Sequence, residues 1–131
     1  MTATCDPVQT ARSRRGKTAY LAGQSAEDIV AQAYERRGHV PLARRWRGSR
    51  GEIDIIVKDG DGVIFVEVKK SRSHARAALR VTAQQMERIF GAGAEFVAGL
   101  PKGQLTDVRL DVALVDDMGR VDVIENASMA A

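Results

Sequence analysis

A single cysteine, Cys5, occurs in the 131 residues, which excludes an intramolecular disulfide and a cysteine-type zinc site. The two histidines, His39 and His74, lie far apart and in no ligand spacing, so they read as surface or loop residues. No run approaches the roughly 18 apolar residues that a membrane span needs, which argues against a membrane protein. Arg12, Arg14 and Arg15 are followed only by Tyr20-Leu21-Ala22 and then polar residues, so the apolar segment of a signal peptide is missing. A cytoplasmic protein is the expectation. Internal repeats and low-complexity segments are also missing. What remains is ordinary: 44% hydrophobic and 28% charged residues, at a length suited to one core rather than two.

Charge is unevenly spread. Residues 1–50 carry ten Lys/Arg against four Asp/Glu, residues 51–100 are balanced, and residues 101–131 carry three against six. The basic residues are densest from Arg36 to Arg50, where Arg36, Arg37, Arg44, Arg45, Arg47 and Arg50 occur with no acid after Arg36. Such a run suits a phosphate backbone, because each guanidinium can hydrogen-bond anionic oxygens and release counterions; its plainer reading is a solvated face. Trp46, the sole tryptophan, reads first as the lid of a core edge and second as a stacking platform for a base.

Residues 1–22 hold Pro7 and little apolar periodicity, which predicts a mobile basic tail ahead of one domain over residues 23–128. Ala26, Ile29, Val30, Ala33 and Tyr34 keep helical spacing, with Ser25 as a cap, Asp28 placed for a capping box and Gly38 as the stop. Val40–Arg47 predicts a first strand whose Pro41 suits an edge. A second helix is predicted from Val81 or Thr82 through Met86, Ile89 and Phe90 towards Val97, weakened by Gly91 and Gly93. The alternation of Val108, Leu110, Val112 and Leu114 predicts a strand with one buried face, and Val121–Ile124 a last strand after the turn at Asp117-Met118-Gly119.

The informative segment is Gly51–Lys70. Two apolar runs flank Asp59-Gly60-Asp61-Gly62, which predicts a β-hairpin whose paired residue numbers sum to 121. Ile53 then faces Val68, Ile55 faces Val66 and Val57 faces Ile64, an all-aliphatic core side. The other side sets Ile56 opposite Phe65, Asp54 opposite Glu67, and Glu52 opposite Lys69. Like charges directly opposite one another destabilise a sheet, and a divalent cation between Asp54 and Glu67 would relieve them. Lys69 shares that face and can position or deprotonate an attacking water. The bland alternative is a solvated face with a Glu52–Lys69 salt bridge, although Ile56 and Phe65 argue that the face is covered. Glu27, at the margin of the helix's apolar stripe, can point towards the hairpin or serve only as a favourable acid in the first turn. Arg109 and Asp111 share a strand face and read mainly as a supporting ion pair.

Asp54, a gap of twelve and then Glu67-Val68-Lys69 resemble the PD-(D/E)xK nuclease signature. Glu27, Tyr34, Gly38, Gly51-Glu52-Ile53-Asp54, Phe65-Val66-Glu67-Val68-Lys69 and Arg109-Leu110-Asp111-Val112 together resemble the bacterial YraN family over roughly residues 16 to 128. That resemblance implies an α/β restriction-endonuclease-like core, a central mixed sheet flanked by helices in the order α-β-β-β-α-β-β. It further implies a site comparable to archaeal Holliday-junction resolvases, with Glu27, Asp54, Glu67 and Lys69 catalytic. Asp54 and Glu67 would hold Mg²⁺ or Mn²⁺, with a backbone carbonyl near Val68 as a further ligand. The implied partner is DNA, including branched DNA, contacted by Arg44, Arg45, Arg47, Arg50, Lys70 and Gln85, and a homodimer would suit a symmetric junction. The sequence departs from the pattern at Ile53 in place of proline, Ala26 in place of glycine, Gln85 in place of lysine, and in the spacing of Lys70-Ser71-Arg72. The competing expectation is a non-catalytic nucleic-acid-binding or adaptor protein on the same fold.

Overall fold

The computed structural model describes residues 26–70 and 82–127. Its elements are helix α1 (Ala26–Arg36), strands β1 (Pro41–Arg47), β2 (Glu52–Asp59) and β3 (Gly62–Lys70), helix α2 (Ala83–Val97), a 3₁₀ turn (Gly103–Leu105), and strands β4 (Val108–Val115) and β5 (Val121–Ile124). The order is the one expected from the sequence. The predicted basic tail, Ser25, and the Ser71–Arg72 departure lie outside the described residues.

The five strands form one mixed sheet in the spatial order β1-β2-β3-β4-β5. β3 and β4 are parallel, joined by the connection that contains α2, and the other three pairings are antiparallel. Each sheet face carries one helix. α1 packs Ala26, Val30, Ala31 and Tyr34 against Ile55, Val57, Ile64, Val66, Ala113 and Val115. α2 packs Ile89, Ala92 and Val97 against Ile53, Ile56, Val63, Phe65 and Leu110. Burial on both faces explains why β3 reads as a nearly unbroken apolar run instead of an alternating one. It also corrects the one-faced reading of β4. From Leu110 to Val115 every residue is buried, because β4 lies inside the sheet with helices on both sides.

The caps are local. Thr82 Oγ1 accepts the Gln85 N–H at 3.0 Å, and the Gln85 side-chain carbonyl accepts the Thr82 N–H at 3.0 Å, a reciprocal box that starts α2. Gly38, at φ +91°, reverses the chain after α1 in a conformation that a side chain disfavours. Gly93 does not end α2: a Cβ there would overlap the Phe65 ring, so the glycine lets helix and sheet approach closely. Trp46 caps this layer, its ring edge-on to Phe96 with centroids 5.5 Å apart.

The hairpin register follows the predicted sum, from Asp59↔Gly62 to Ile55↔Val66. There the pairing stops while both strands continue, β2 back to Glu52 beside β1 and β3 on to Lys70 beside β4. Ile53 consequently does not face Val68. It sits in the α2 layer with Ile56 and Phe65. On the other flank Arg45, between the pairs Arg44↔Ile55 and Trp46↔Ile53, has φ +50°. An irregularity at this level of both neighbours of β2 marks where the alternation of side chains, and so the sequence-based face assignment, fails.

Candidate functional site

Asp54 and Glu67 lie just beyond the last hairpin pair. With the backbone ladder ended, the Asp54 carboxylate takes over part of it: Oδ2 accepts the Val68 N–H at 2.8 Å. The Val68 amide is therefore a donor that fixes Asp54, while its carbonyl is the atom that the resemblance offers to a metal. Glu67 is held 20% exposed, with Lys69 Nζ 3.6 Å from Oε2.

Burial is the largest influence on Glu67. The negative charge of Asp54 and a hydrogen bond between the two carboxyl groups add to it, and the Lys69 ammonium opposes them; together they push Glu67 up to about 7. Asp54 thus lies close enough for its charge to oppose ionisation of Glu67. Near neutral pH Glu67 takes up its negative charge only with difficulty, and a cation would favour that charge. Lys69 pairs with Glu67 and not with Glu52, whose partner is Arg47 at 3.4 Å. The bland expectation of a Glu52–Lys69 bridge is thereby replaced.

Glu27 reaches the β1 side. Its two carboxylate oxygens each accept from Arg45 Nε at 3.3 Å, and Arg44 Nη2 lies 3.6 Å away while donating to Asp28 at 2.8 Å. Among the described residues no group of three or more His, Cys, Asp or Glu converges as a metal cage, so Glu27 does not complete an acidic trio with Asp54 and Glu67.

The arginine run is acid-free in sequence but not in space. Arg44 and Arg45 meet α1, Arg47 meets Glu52, and Arg50 lies 3.8 Å from Glu87 of α2. The loop that carries Arg50 is clamped by Glu95, which accepts the Ser49 N–H at 2.9 Å and the Ser49 hydroxyl at 2.7 Å. These Ser49 bonds hold the Glu95 carboxyl below its usual range. Such exposed pairs are individually weak. Lys70 is exposed at the end of β3. Gln85 spends its side-chain carbonyl on the α2 cap.

Sequence reading found the Arg109–Asp111 pair but not what it anchors. Asp111 is fully buried and accepts four donors: the Tyr34 hydroxyl at 2.6 Å, Arg109 Nε at 2.8 Å and Nη2 at 2.9 Å, and the Asn126 N–H at 3.0 Å. Burial first, then Asp111, pushes the Tyr34 hydroxyl well above its ordinary range. The available signal was an aspartate within an apolar strand, which needs partners once buried. Asp116 was also missed. It caps the β4–β5 turn through the Met118 and Arg120 amides, each at 2.9 Å, and the Arg120 guanidinium at 2.7 Å. The Arg120 amide is the leading reason that its carboxyl is held down.

No helix among the described residues is long and apolar enough to cross a membrane. The protein resembles a UPF0102 protein of Cereibacter sphaeroides, 59% identical over 115 residues that cover 88% of this chain and 98% of the relative. A UPF0102 protein of Ruegeria pomeroyi is 55% identical over 117 residues, 89% and 95% of the two chains. One of Dinoroseobacter shibae is 43% identical over 123 residues, 94% and 92%. The profile of the group described as "Uncharacterised protein family UPF0102" matches residues 26–125, from the start of α1 to just past β5, so the matched stretch contains the carboxylate pair, Lys69 and the Asp111 network. The chain belongs to the UPF0102 family.

Proposed function

We propose that this protein is a metal-dependent endonuclease of the restriction-endonuclease-like group that hydrolyses phosphodiester bonds in DNA, branched DNA included. The observation that supports this reading most is the opening between β2 and β3, where Asp54, held by the Val68 amide, neighbours Glu67, and Lys69 stands 3.6 Å from Glu67. The donor set fits Mg²⁺ or Mn²⁺: two hard carboxylates, raised in energy by their mutual repulsion, suit an ion that commonly takes one or two carboxylates and completes its shell with water and phosphate. Asp54 and Glu67 would hold it, together with the Val68 carbonyl. Bound there, the ion would supply an activated water and screen charge on the scissile phosphate.

The chain's own residues do the rest. The Val68 amide holds Asp54 in place. Lys69 lowers the cost of ionising Glu67 and offers a cation to the pentavalent phosphate. Arg44, Arg45, Arg47, Arg50 and Lys70 exchange their present partners for backbone phosphates, with Gln85 at the margin of that surface. Glu27 enters the acidic shell once Arg45 has turned to phosphate. A cytoplasmic location fits this substrate, and a homodimer would match a symmetric junction.

A non-catalytic nucleic-acid-binding or adaptor role is the second reading. It is favoured by the present engagement of Glu27 with Arg44 and Arg45 rather than with Asp54 and Glu67. Cleavage of linear, single-stranded and four-way-junction DNA with Mg²⁺ or Mn²⁺ separates the two. The enzyme reading expects cleavage that Asp54→Ala and Lys69→Ala abolish while salt-sensitive DNA binding survives. Uncut DNA in every lane, despite binding, supports the adaptor.

A further inference from the structure

β1 pairs with β2 so that Arg44 faces Ile55, Trp46 faces Ile53 and Arg47 faces Glu52. Arg45 therefore stands level with Asp54, one strand spacing of about 4.8 Å away. Opposite charges placed across neighbouring strands attract, and an arginine is long enough to close such a pair. This one stays open. Among the described residues no ion pair joins Arg45 to Asp54, whose carboxyl group meets the Val68 amide at 2.8 Å and the carboxyl group of Glu67. The guanidinium is drawn to α1: Arg45 Nε lies 3.3 Å from each oxygen of Glu27. Glu27 is the fixed partner, its side chain 16% exposed against 65% for Arg45. Arg44 stands 3.6 Å from the same carboxylate while donating to Asp28 at 2.8 Å. Consecutive residues of a regular strand point to opposite faces, yet Arg44 and Arg45 both meet α1. The φ of +50° at Arg45, a left-handed conformation that a side chain disfavours, breaks the alternation and allows this.

We propose that Glu27 is a positioning residue which, in the DNA-free chain, draws Arg45 onto α1 and so keeps its guanidinium off the Asp54 carboxylate beside it in the sheet. The consequence lies in the charge at Asp54. An arginine paired there would neutralise the carboxylate and repel a doubly charged ion, so its removal to α1 leaves Asp54 open to a divalent cation. Glu27 touches no metal in this role, which separates it from an acidic ligand. The placement of Arg45 stands by itself, and only its consequence for the metal rests on the nuclease reading.

The test combines amide NMR of the metal-free full chain with Mn²⁺ titration calorimetry in Glu27→Gln, Arg45→Gln and the double variant. Glu27→Gln should move the Val68 amide resonance, because the released Arg45 then competes for the Asp54 oxygen that this amide holds. The same variant should bind Mn²⁺ at least about fivefold more weakly, since a positive charge has moved beside the ion. Arg45→Gln should leave Val68 in place and Mn²⁺ affinity no lower. Adding Arg45→Gln to Glu27→Gln should return both readings to the wild-type values. An unmoved Val68 amide in Glu27→Gln would overturn the proposal. So would a double variant that binds Mn²⁺ as weakly as Glu27→Gln, the pattern of a lost metal ligand. Asp54→Ala keeps the two ideas apart. Mn²⁺ binding that survives Asp54→Ala removes the metal reading, while a Val68 amide that moves in Glu27→Gln and returns in the double variant upholds the role of Glu27. Mn²⁺ binding lost in Asp54→Ala beside an unmoved Val68 amide does the reverse.

Discussion

Two carboxylate centres sit in the same sheet and are treated in opposite ways. Asp111 is the more deeply buried, yet four donors from α1, β4 and the residues after β5 surround it. Asp54 and Glu67 are less buried but face each other, with one amide on Asp54 and one ammonium beside Glu67. Depth alone therefore does not decide the state of an acid. The number and sign of its neighbours do, and the acid left with a repulsive neighbour, Glu67, is the one pushed up towards neutral pH.

Breaking the satisfied centre should have the largest effect. Asp111→Ala strands the Arg109 guanidinium and the Tyr34 hydroxyl, and is expected to cost about 3–5 kcal/mol in urea unfolding. A loss below about 1 kcal/mol would mean that water or Glu125, 3.9 Å from Arg109, replaces it. Tyr34→Phe removes one bond to the same carboxylate and should cost about 1.5–3 kcal/mol, leaving the other donors in place.

The repulsive centre should respond with the opposite sign. Glu67 is raised to about 7 in the folded chain against an ordinary 4.5, so the native state favours its proton. Its contribution is fully present below about pH 4.5 and is lost as pH rises to 7, where metal-free protein becomes less stable. Glu67→Gln should remove this loss and stabilise the metal-free chain at pH 8 by on the order of 2 kcal/mol, a value to be read from paired unfolding curves at pH 5 and pH 8. Identical pH profiles for the two proteins would show that Glu67 is not raised in the folded chain. The smallest effect belongs to the surface. Arg45→Gln breaks an exposed pair with Glu27 and should change stability by no more than about 1 kcal/mol. It should also flatten the salt dependence of DNA binding by roughly one unit of slope if Arg45 meets a phosphate.

Much of this was legible in the sequence. The turn Asp59–Gly62 and the flanking aliphatic residues determine the hairpin register, because shifting it by one would turn Ile55, Val57, Ile64 and Val66 towards the wrong helix. Asp54, Glu67 and Lys69 could be grouped for the same reason. Ile53 was misplaced because periodicity assumes that the ladder continues, and it ends one residue before the acids. The partners of the arginines were illegible for a different cause: Arg44 meets Asp28 and Arg50 meets Glu87, contacts created by packing α1 and α2 on opposite faces rather than by spacing along the chain. The Tyr34–Asp111 bond spans 77 residues and likewise appears only in the folded sheet.

The topology also sets an order of assembly. β1, β2 and β3 form a meander whose widest β2–β3 pair, Ile55 with Val66, closes a short loop, whereas β3 meets β4 only across the chain from Val63 to Val108. Loop closure over short separations is faster, so the meander is expected to gain protection first and β4 later. Pulse-labelled hydrogen exchange would show this as early protection of the Ile55 to Ile64 amides and late protection of those from Leu110 to Leu114. The repulsive acids thus arrive on the quickly formed part of the chain, where their charge has to be tolerated before the slower Asp111 network has closed over the sheet.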